Sequence, residues 1–102
     1  MNKQTPLNEI KSQLHGETAK IAWKELLKFF AGGYTIEVQR PNDLVGVAEL
    51  FVQDQADKIK TLMDQGHVRP VPDDSAKKWL EQDATVWAVV LAPWVLVQEI
   101  QE

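Results

Sequence analysis

The chain has 102 residues, a formal net charge of −4 and no cysteine. This length predicts a single domain over residues 1–102, with residues 1–5 as a flexible N-terminus. The lack of cysteine excludes a disulfide framework, a cysteine-ligated zinc site and a thiol nucleophile. The acidic balance disfavours nucleic-acid binding, because it repels the phosphate backbone.

The first third of the sequence carries two helical patterns. The Thr-Pro pair at 5–6 is typical of a helix start, and apolar residues then recur at helical spacing up to Leu14. Gly16 either breaks this helix or is tolerated within a longer one. From Glu17 onward a stronger pattern predicts a second helix, which ends at the two glycines at 32–33.

The middle of the chain is predicted to form a strand, a long helix and an extended segment. Residues 34–38 alternate apolar and polar side chains, which predicts a half-buried strand. A helical stripe of apolar residues runs from Leu44 to Met63 and is closed by Gly66. Residues 67–71 are extended, and their prolines deny them a central place in a sheet.

A short helix is predicted after these prolines. Asp73 is its expected cap. Its expected buried face comprises Ala76, Trp79 and Leu80.

Residues 86–97 form the most apolar segment and contain no charged or amide side chain. Their valines favour strand, and Pro93 would break a helix interior. We therefore predict a strand to about Leu91, a bend at Pro93 and a second extended stretch to Gln98. Whether residues 84–98 form one bent strand or two stays open.

The order of these elements predicts an α+β fold. A small sheet of about three strands would pack against two longer helices and one short helix. Trp87 and Trp94 would face opposite sides of an unbroken strand, and a one-residue bulge at Pro93 would bring them to the same side.

The tryptophans are the main candidates for an interaction surface. Tryptophan is enriched at interface hot spots, and a domain this small cannot easily bury all four of its copies. We expect Trp94, with Trp87 and Trp23 as further candidates, to line a surface groove or a dimer contact. The function expected from this pattern is an interaction module that forms a homo-oligomer or binds a protein partner through its C-terminal apolar segment.

The alternative is a small-ligand-binding or metal-dependent enzyme. Its pocket would lie near Trp23, Asp54, His15 and Glu17, where polar groups adjoin apolar stripes. No spacing matches a known metal-ligand motif, so no metal and no cofactor is predicted. Catalytic residues stay unknown, and an enzyme is the less favoured of the two functions.

The sequence also resembles a known bacterial family. Residues 17–26, 43–45 with Ala48, 87–90 and 92–98 are similar to the family catalogued as domain of unknown function 2288. The string Ala-Pro-Trp-Val-Leu-Val-Gln at 92–98 is the most specific part. The resemblance implies a small stand-alone bacterial protein and brings no catalytic residues with it.

The expected location is the cytoplasm, without membrane insertion. The N-terminus lacks the apolar core of a signal peptide. The apolar run near the C-terminus is shorter than a spanning helix, which needs about 20 residues.

Overall fold

The computed structural model describes residues 18–91 and 93–100. Three predictions lie outside these residues: the flexible N-terminus at 1–5, the helix beginning at Thr5 and the role of Gly16. The same is true of two candidate site residues, His15 and Glu17.

The described residues form an α+β fold with one five-stranded mixed sheet and four α-helices. The strands are β1 (Ala19–Ala22), β2 (Thr35–Val38), β3 (Val68–Pro70), β4 (Thr85–Leu91) and β5 (Trp94–Glu99). The helices are α1 (Leu27–Ala31), α2 (Leu44–Val52), α3 (Ala56–Asp64) and α4 (Asp73–Glu81), and a 3₁₀ turn at Trp23–Leu26 precedes α1. The predicted class is confirmed, whereas three strands and three helices understate the content.

The strand order is β1-β4-β5-β2-β3, so β5 lies at the centre of the sheet. It pairs antiparallel with β4, where Val89 lies opposite Leu96. It pairs parallel with β2, where Ile36 lies opposite Leu96. The outer strands β1 and β3 are antiparallel to their neighbours.

Hydrophobic layers cover both faces of this sheet. On one face, α2 and α3 pack over β2, β3, β4 and β5; the buried residues are Ile36, Val38, Leu44, Val47, Ala48, Val68, Val89 and Leu96. On the other face, the 3₁₀ turn and α4 pack over β4 and β5; the buried residues are Trp23, Leu26, Val71, Ala76, Trp79, Val86, Ala88, Val95 and Val97. Strand alternation explains this division, because successive side chains point to opposite faces.

The predicted helix from Glu17 to the glycines at 32–33 is wrong over its first half. Residues Ala19–Ala22 form β1 and pair with residues 85–88 of β4. Pairing with a strand distant in sequence overrides the helical propensity of this short segment. The end of the helix is confirmed, because α1 stops at Ala31 and Gly33 adopts a φ of 83°.

The predicted long helix between Leu44 and Met63 is two helices. The chain turns at Asp54, whose φ is 56°, a left-handed conformation that favours glycine and tolerates aspartate. This turn folds α3 back, so that Leu62 packs against the same core as Val47 of α2.

We expect Asp54→Gly to leave the free energy of unfolding unchanged or to raise it by up to about 1 kcal/mol. Glycine removes the steric cost of the left-handed backbone, and the entropy of the unfolded chain offsets part of that gain. The matched control is Asp57→Gly in the first turn of α3, which should lower stability by about 1 kcal/mol. Urea unfolding followed by circular dichroism measures both, and equal losses in the two variants would contradict the turn assignment.

The remaining strand predictions are confirmed. The strand predicted at 34–38 is β2, but it is fully buried and not half-buried as predicted, because hydrophobic layers cover both faces of the sheet. The proline-containing segment at 67–71 contains β3 at the edge of the sheet. Residues 84–98 form two strands joined in a hairpin, with Leu91 opposite Trp94. In this register Trp87 and Trp94 lie on the same face of the sheet. The reversal of the chain at the hairpin causes this, and not a bulge within one strand.

The short helix is confirmed with two corrections. Pro72 occupies the cap position, and Asp73 is the first helical residue. Ala76 and Trp79 are buried as predicted, but Leu80 is 48% exposed.

Candidate functional site

An exposed aromatic pair lies at the turn of the β4–β5 hairpin. The rings of Tyr34 and Trp94 meet edge to face, with 5.8 Å between their centroids. Parallel pairing of β2 with β5 brings the two rings together. Tyr34 directly precedes β2, Trp94 is the first residue of β5, and Val95 N–H donates a hydrogen bond to the Tyr34 carbonyl. Tyr34 is 41% and Trp94 is 38% exposed. We call the surface formed by Tyr34, Pro93 and Trp94 the hairpin-tip patch.

This patch lies on chain segments without charge. Residues 29–36 and 86–97, which carry the aromatic pair, contain no Asp, Glu, Lys or Arg. Pro93 is exposed between the two strands. Val90 is also exposed near this turn, but it pairs with Val95 and lies on the opposite face of the sheet from Trp94. Trp94 therefore lies at the surface, and its role in an interface stays a prediction.

A second candidate lies at the other end of the parallel strands β2 and β5, beyond their carboxyl ends. Two adjoining cavities of about 310 and 330 Å³ share Asn42, Trp87 and Gln98 in their linings. Trp87 is half-buried there, and the Lys20 Nζ atom lies 5.2 Å from the centroid of its indole. We call the two cavities together the carboxyl-end cleft.

Hydrogen bonds fix the loop that borders this cleft. Asn42 donates from Nδ2 to the Gln39 carbonyl at 2.7 Å and approaches His67 Nδ1 at 3.2 Å. Gln98 donates from Nε2 to the Asn42 carbonyl at 2.7 Å. The backbone N–H of Gln39 donates a hydrogen bond to the carbonyl of His67. Asn42 and Gln98 are thus held in place by β3 and by the end of β5.

Some of the charged side chains near the cleft form ion pairs with described residues and others do not. Glu99 pairs with Lys78 at 3.1 Å. The Asp43 carboxylate lies against the first turn of α2, where a Cβ atom on Gly46 would be 2.9 Å from its oxygen. Within residues 18–91 and 93–100, neither Lys20 nor Arg40 forms an ion pair. The local excess is therefore positive in an acidic protein.

One buried carboxylate lies apart from both surfaces. Glu37 is 5% exposed on β2, and its Oε1 accepts from Arg69 Nε at 3.1 Å and from Ser75 Oγ at 3.4 Å. With its amide oxygen turned toward the guanidinium, Gln39 also accepts from Arg69. The arrangement joins β2, β3 and α4, which is a structural role.

The structure does not bring together the residues of the pocket predicted near Trp23. Trp23 is completely buried against Trp79, with 5.1 Å between ring centroids. Asp54 is exposed in the turn after α2, and α2 packs on the opposite face of the sheet from Trp23. His15 and Glu17, the other two members, lie outside the described residues.

Sequence reasoning missed Arg40, Asn42 and Gln98 of the carboxyl-end cleft. The polar residues at 40 and 42 directly follow a strand, and ligands of open α/β sheets lie at such carboxyl ends. Applying this rule requires the knowledge that β2 pairs parallel with β5, and no local sequence pattern indicates that pairing.

Over 18–91 and 93–100, no group of three or more His, Cys, Asp or Glu side chains could hold a metal ion. In the same part of the chain, no helix combines the length and the apolar character that crossing a membrane requires.

Comparison with known proteins identifies the family. The NMR solution structure of PA1075 from Pseudomonas aeruginosa is similar to this chain, with a TM-score of 0.81 and 44% sequence identity over 100% of this chain and 93% of that one. No curated protein matches the sequence. The family model described as protein of unknown function (DUF2288) matches residues 9–99. The chain belongs to this family, as its resemblance at residues 17–26 and 87–98 implied.

Proposed function

We propose that the protein is an interaction module that self-associates through the hairpin-tip patch. The observation that carries this proposal is the exposed pair of Tyr34 and Trp94. An indole and a phenol leave large apolar areas in water, and burial is favourable by about 25 cal/mol per Å². Aromatic residues of this kind supply much of the binding energy at protein interfaces.

A second copy of the chain is the occupant that the charges favour. The protein carries a net charge of −4, so most approaches of two copies are repulsive. The segments at 29–36 and 86–97 are uncharged, and two such ends meet without placing like charges opposite each other. A two-fold arrangement would then place the aromatic pair of one copy against that of the other.

We expect Trp94→Asp to convert an oligomer into a monomer of 11.6 kDa. The carboxylate would be buried without a partner in each copy, which is unfavourable. Native mass spectrometry with light scattering measures the mass, and urea unfolding tests that the variant stays folded. The matched control is Met63→Asp, because Met63 is 41% exposed on α3 and lies outside the patch. This control should keep the wild-type mass.

Two outcomes would overturn the proposal. A wild-type protein that stays monomeric at high concentration would exclude self-association and favour a partner of another sequence. Equal loss of mass in Trp94→Asp and Met63→Asp would show that the contact does not lie at the hairpin tip.

The origin and location of the protein are proposals as well. A bacterial source is supported by the similarity to the Pseudomonas structure. A cytoplasmic location rests on the sequence pattern alone, and fractionation of a native host would test it.

A further inference from the structure

We propose that the carboxyl-end cleft binds a small planar molecule that carries an anionic group, held between Trp87 and Arg40. This site differs from the hairpin-tip patch, because it lies at the opposite ends of β2 and β5. It shares no residue with the pocket predicted from the sequence near Trp23 and Asp54.

The planar part of the ligand is inferred from Trp87. Its indole lines both cavities of the cleft. The side chain is half-buried, because it also packs against the hydrophobic core under α2. An indole offers a flat, polarizable face on which aromatic rings stack. Lys20, the cross-strand neighbour of Trp87 on β1, lies over part of this ring, so a ligand would stack on the part of the indole that lines the cleft.

The anionic part is inferred from Arg40, which lines the cleft, and from Lys20, which lies over the Trp87 indole beside it. Lys20 and Arg40 flank Trp87 and form no ion pair with any described residue. Of the nearby carboxylates, Glu99 pairs with Lys78, and Asp43 lies beside the N-terminal turn of α2 without a capping hydrogen bond in the part of the chain that the structure describes. A phosphate or carboxylate on the ligand would meet Arg40 in a charge-assisted hydrogen bond, for which the planar guanidinium is well suited.

The amides of Asn42 and Gln98 supply the specificity. Each uses its nitrogen in a bond to the backbone of the loop, which fixes its orientation before any ligand arrives. Fixed polar groups beside an apolar wall are typical of small-molecule sites, since little conformational entropy is lost on binding.

The test is a titration followed by ¹⁵N NMR of the whole chain. Two ring-bearing anions serve as probes, adenosine 5′-monophosphate and indole-3-acetate. Adenosine and indole-3-acetamide are their neutral counterparts, and inorganic phosphate is an anion without a ring. We expect the anionic probes to shift the Trp87 indole N–H signal and the side-chain amide signals of Asn42 and Gln98, with weaker binding at higher salt.

Arg40→Gln should weaken binding of the anionic probes about tenfold, corresponding to about 1.4 kcal/mol, and leave the neutral probes unchanged. Arg40 is exposed, so the variant is expected to fold. The matched control is Lys58→Gln on α3, which should bind as the wild type does.

Four results would overturn the proposal. The first two are that neither ring-bearing anion shifts any signal at millimolar concentration, or that only signals outside the cleft shift. The other two are that the neutral probes bind as well as the anions, or that inorganic phosphate binds as well as adenosine 5′-monophosphate. The self-association test uses mass as its readout, so the failure of either proposal is recognised independently of the other.

Discussion

Trp79→Ala is expected to lower the free energy of unfolding by about 3–5 kcal/mol. Trp79 is 1% exposed and packs edge to face on Trp23 beneath β4 and β5. Truncation removes a large buried area and leaves a cavity that the rigid sheet cannot fill. Small domains have only about 5–15 kcal/mol of stability in total, so this one change takes a large part of it.

Two further variants on α4 serve as controls. Leu80→Ala removes the neighbouring side chain, which is 48% exposed, and should change stability by less than about 1 kcal/mol. Trp79→Phe keeps an aromatic ring and removes an indole N–H that has no hydrogen-bond partner among the described residues. Because burying an unpaired donor is unfavourable, its loss should be much smaller than that of the alanine variant. Urea unfolding gives all three values, and equal losses for Trp79→Ala and Leu80→Ala would refute the assigned orientation of α4.

Arg69→Met is expected to lower stability by about 2 kcal/mol. The substitution leaves the 5%-exposed carboxylate of Glu37 without its guanidinium, and an uncompensated buried charge is unfavourable. The loss should stay below that of a fully buried pair, because the Arg69 side chain is 47% exposed and water reaches it. Ser75 retains its bond to the carboxylate, which limits the loss further.

The double variant Glu37→Gln with Arg69→Met should be more stable than Arg69→Met alone. Glutamine keeps an acceptor for Ser75 and carries no charge, so the penalty for burial falls. The matched control is Lys60→Met, which breaks the exposed pair between Lys60 and Asp64 and should change stability by less than about 1 kcal/mol. A double variant no more stable than the single one would show that the buried charge is not the cause.

The elements that could be predicted are those whose local pattern agrees with their place in the fold. β2 is short and alternating, Pro70 limits β3 to an edge, and Pro93 separates two valine-rich strands. Gly33 marks the end of α1 through its positive φ. Pro70, Pro93 and Gly33 each impose a backbone restriction that holds whatever packs around it.

The errors arose where distant partners decide the structure. The segment at 19–22 continues a helical pattern, yet pairing with β4 makes it a strand. Asp54 interrupts a stripe that reads as one helix, because folding α3 back lets both helices cover the same core. Leu80 matches the apolar spacing of α4 but lies beyond the buried face. Local periodicity carries no information about any of these contacts.

The candidate surfaces were predictable to different degrees. Trp94 could be selected because the chain has four tryptophans, more than a small core can easily bury, and two of them lie in its most apolar segment. The carboxyl-end cleft joins Asn42 with Trp87 and Gln98 across the sheet, and only the tertiary fold brings these positions together.

The central position of β5 has a consequence for the order in which the chain can fold during synthesis. β5 contributes Leu96 to the core on one face and Val95 with Val97 to the core on the other, yet it leaves the ribosome after all the other described strands and helices. Until it emerges, β2 and β4 have no strand between them, and both hydrophobic layers lack their middle. We therefore expect a chain that lacks β5 to have no stable fold, because the apolar side chains of both layers would stay exposed to water.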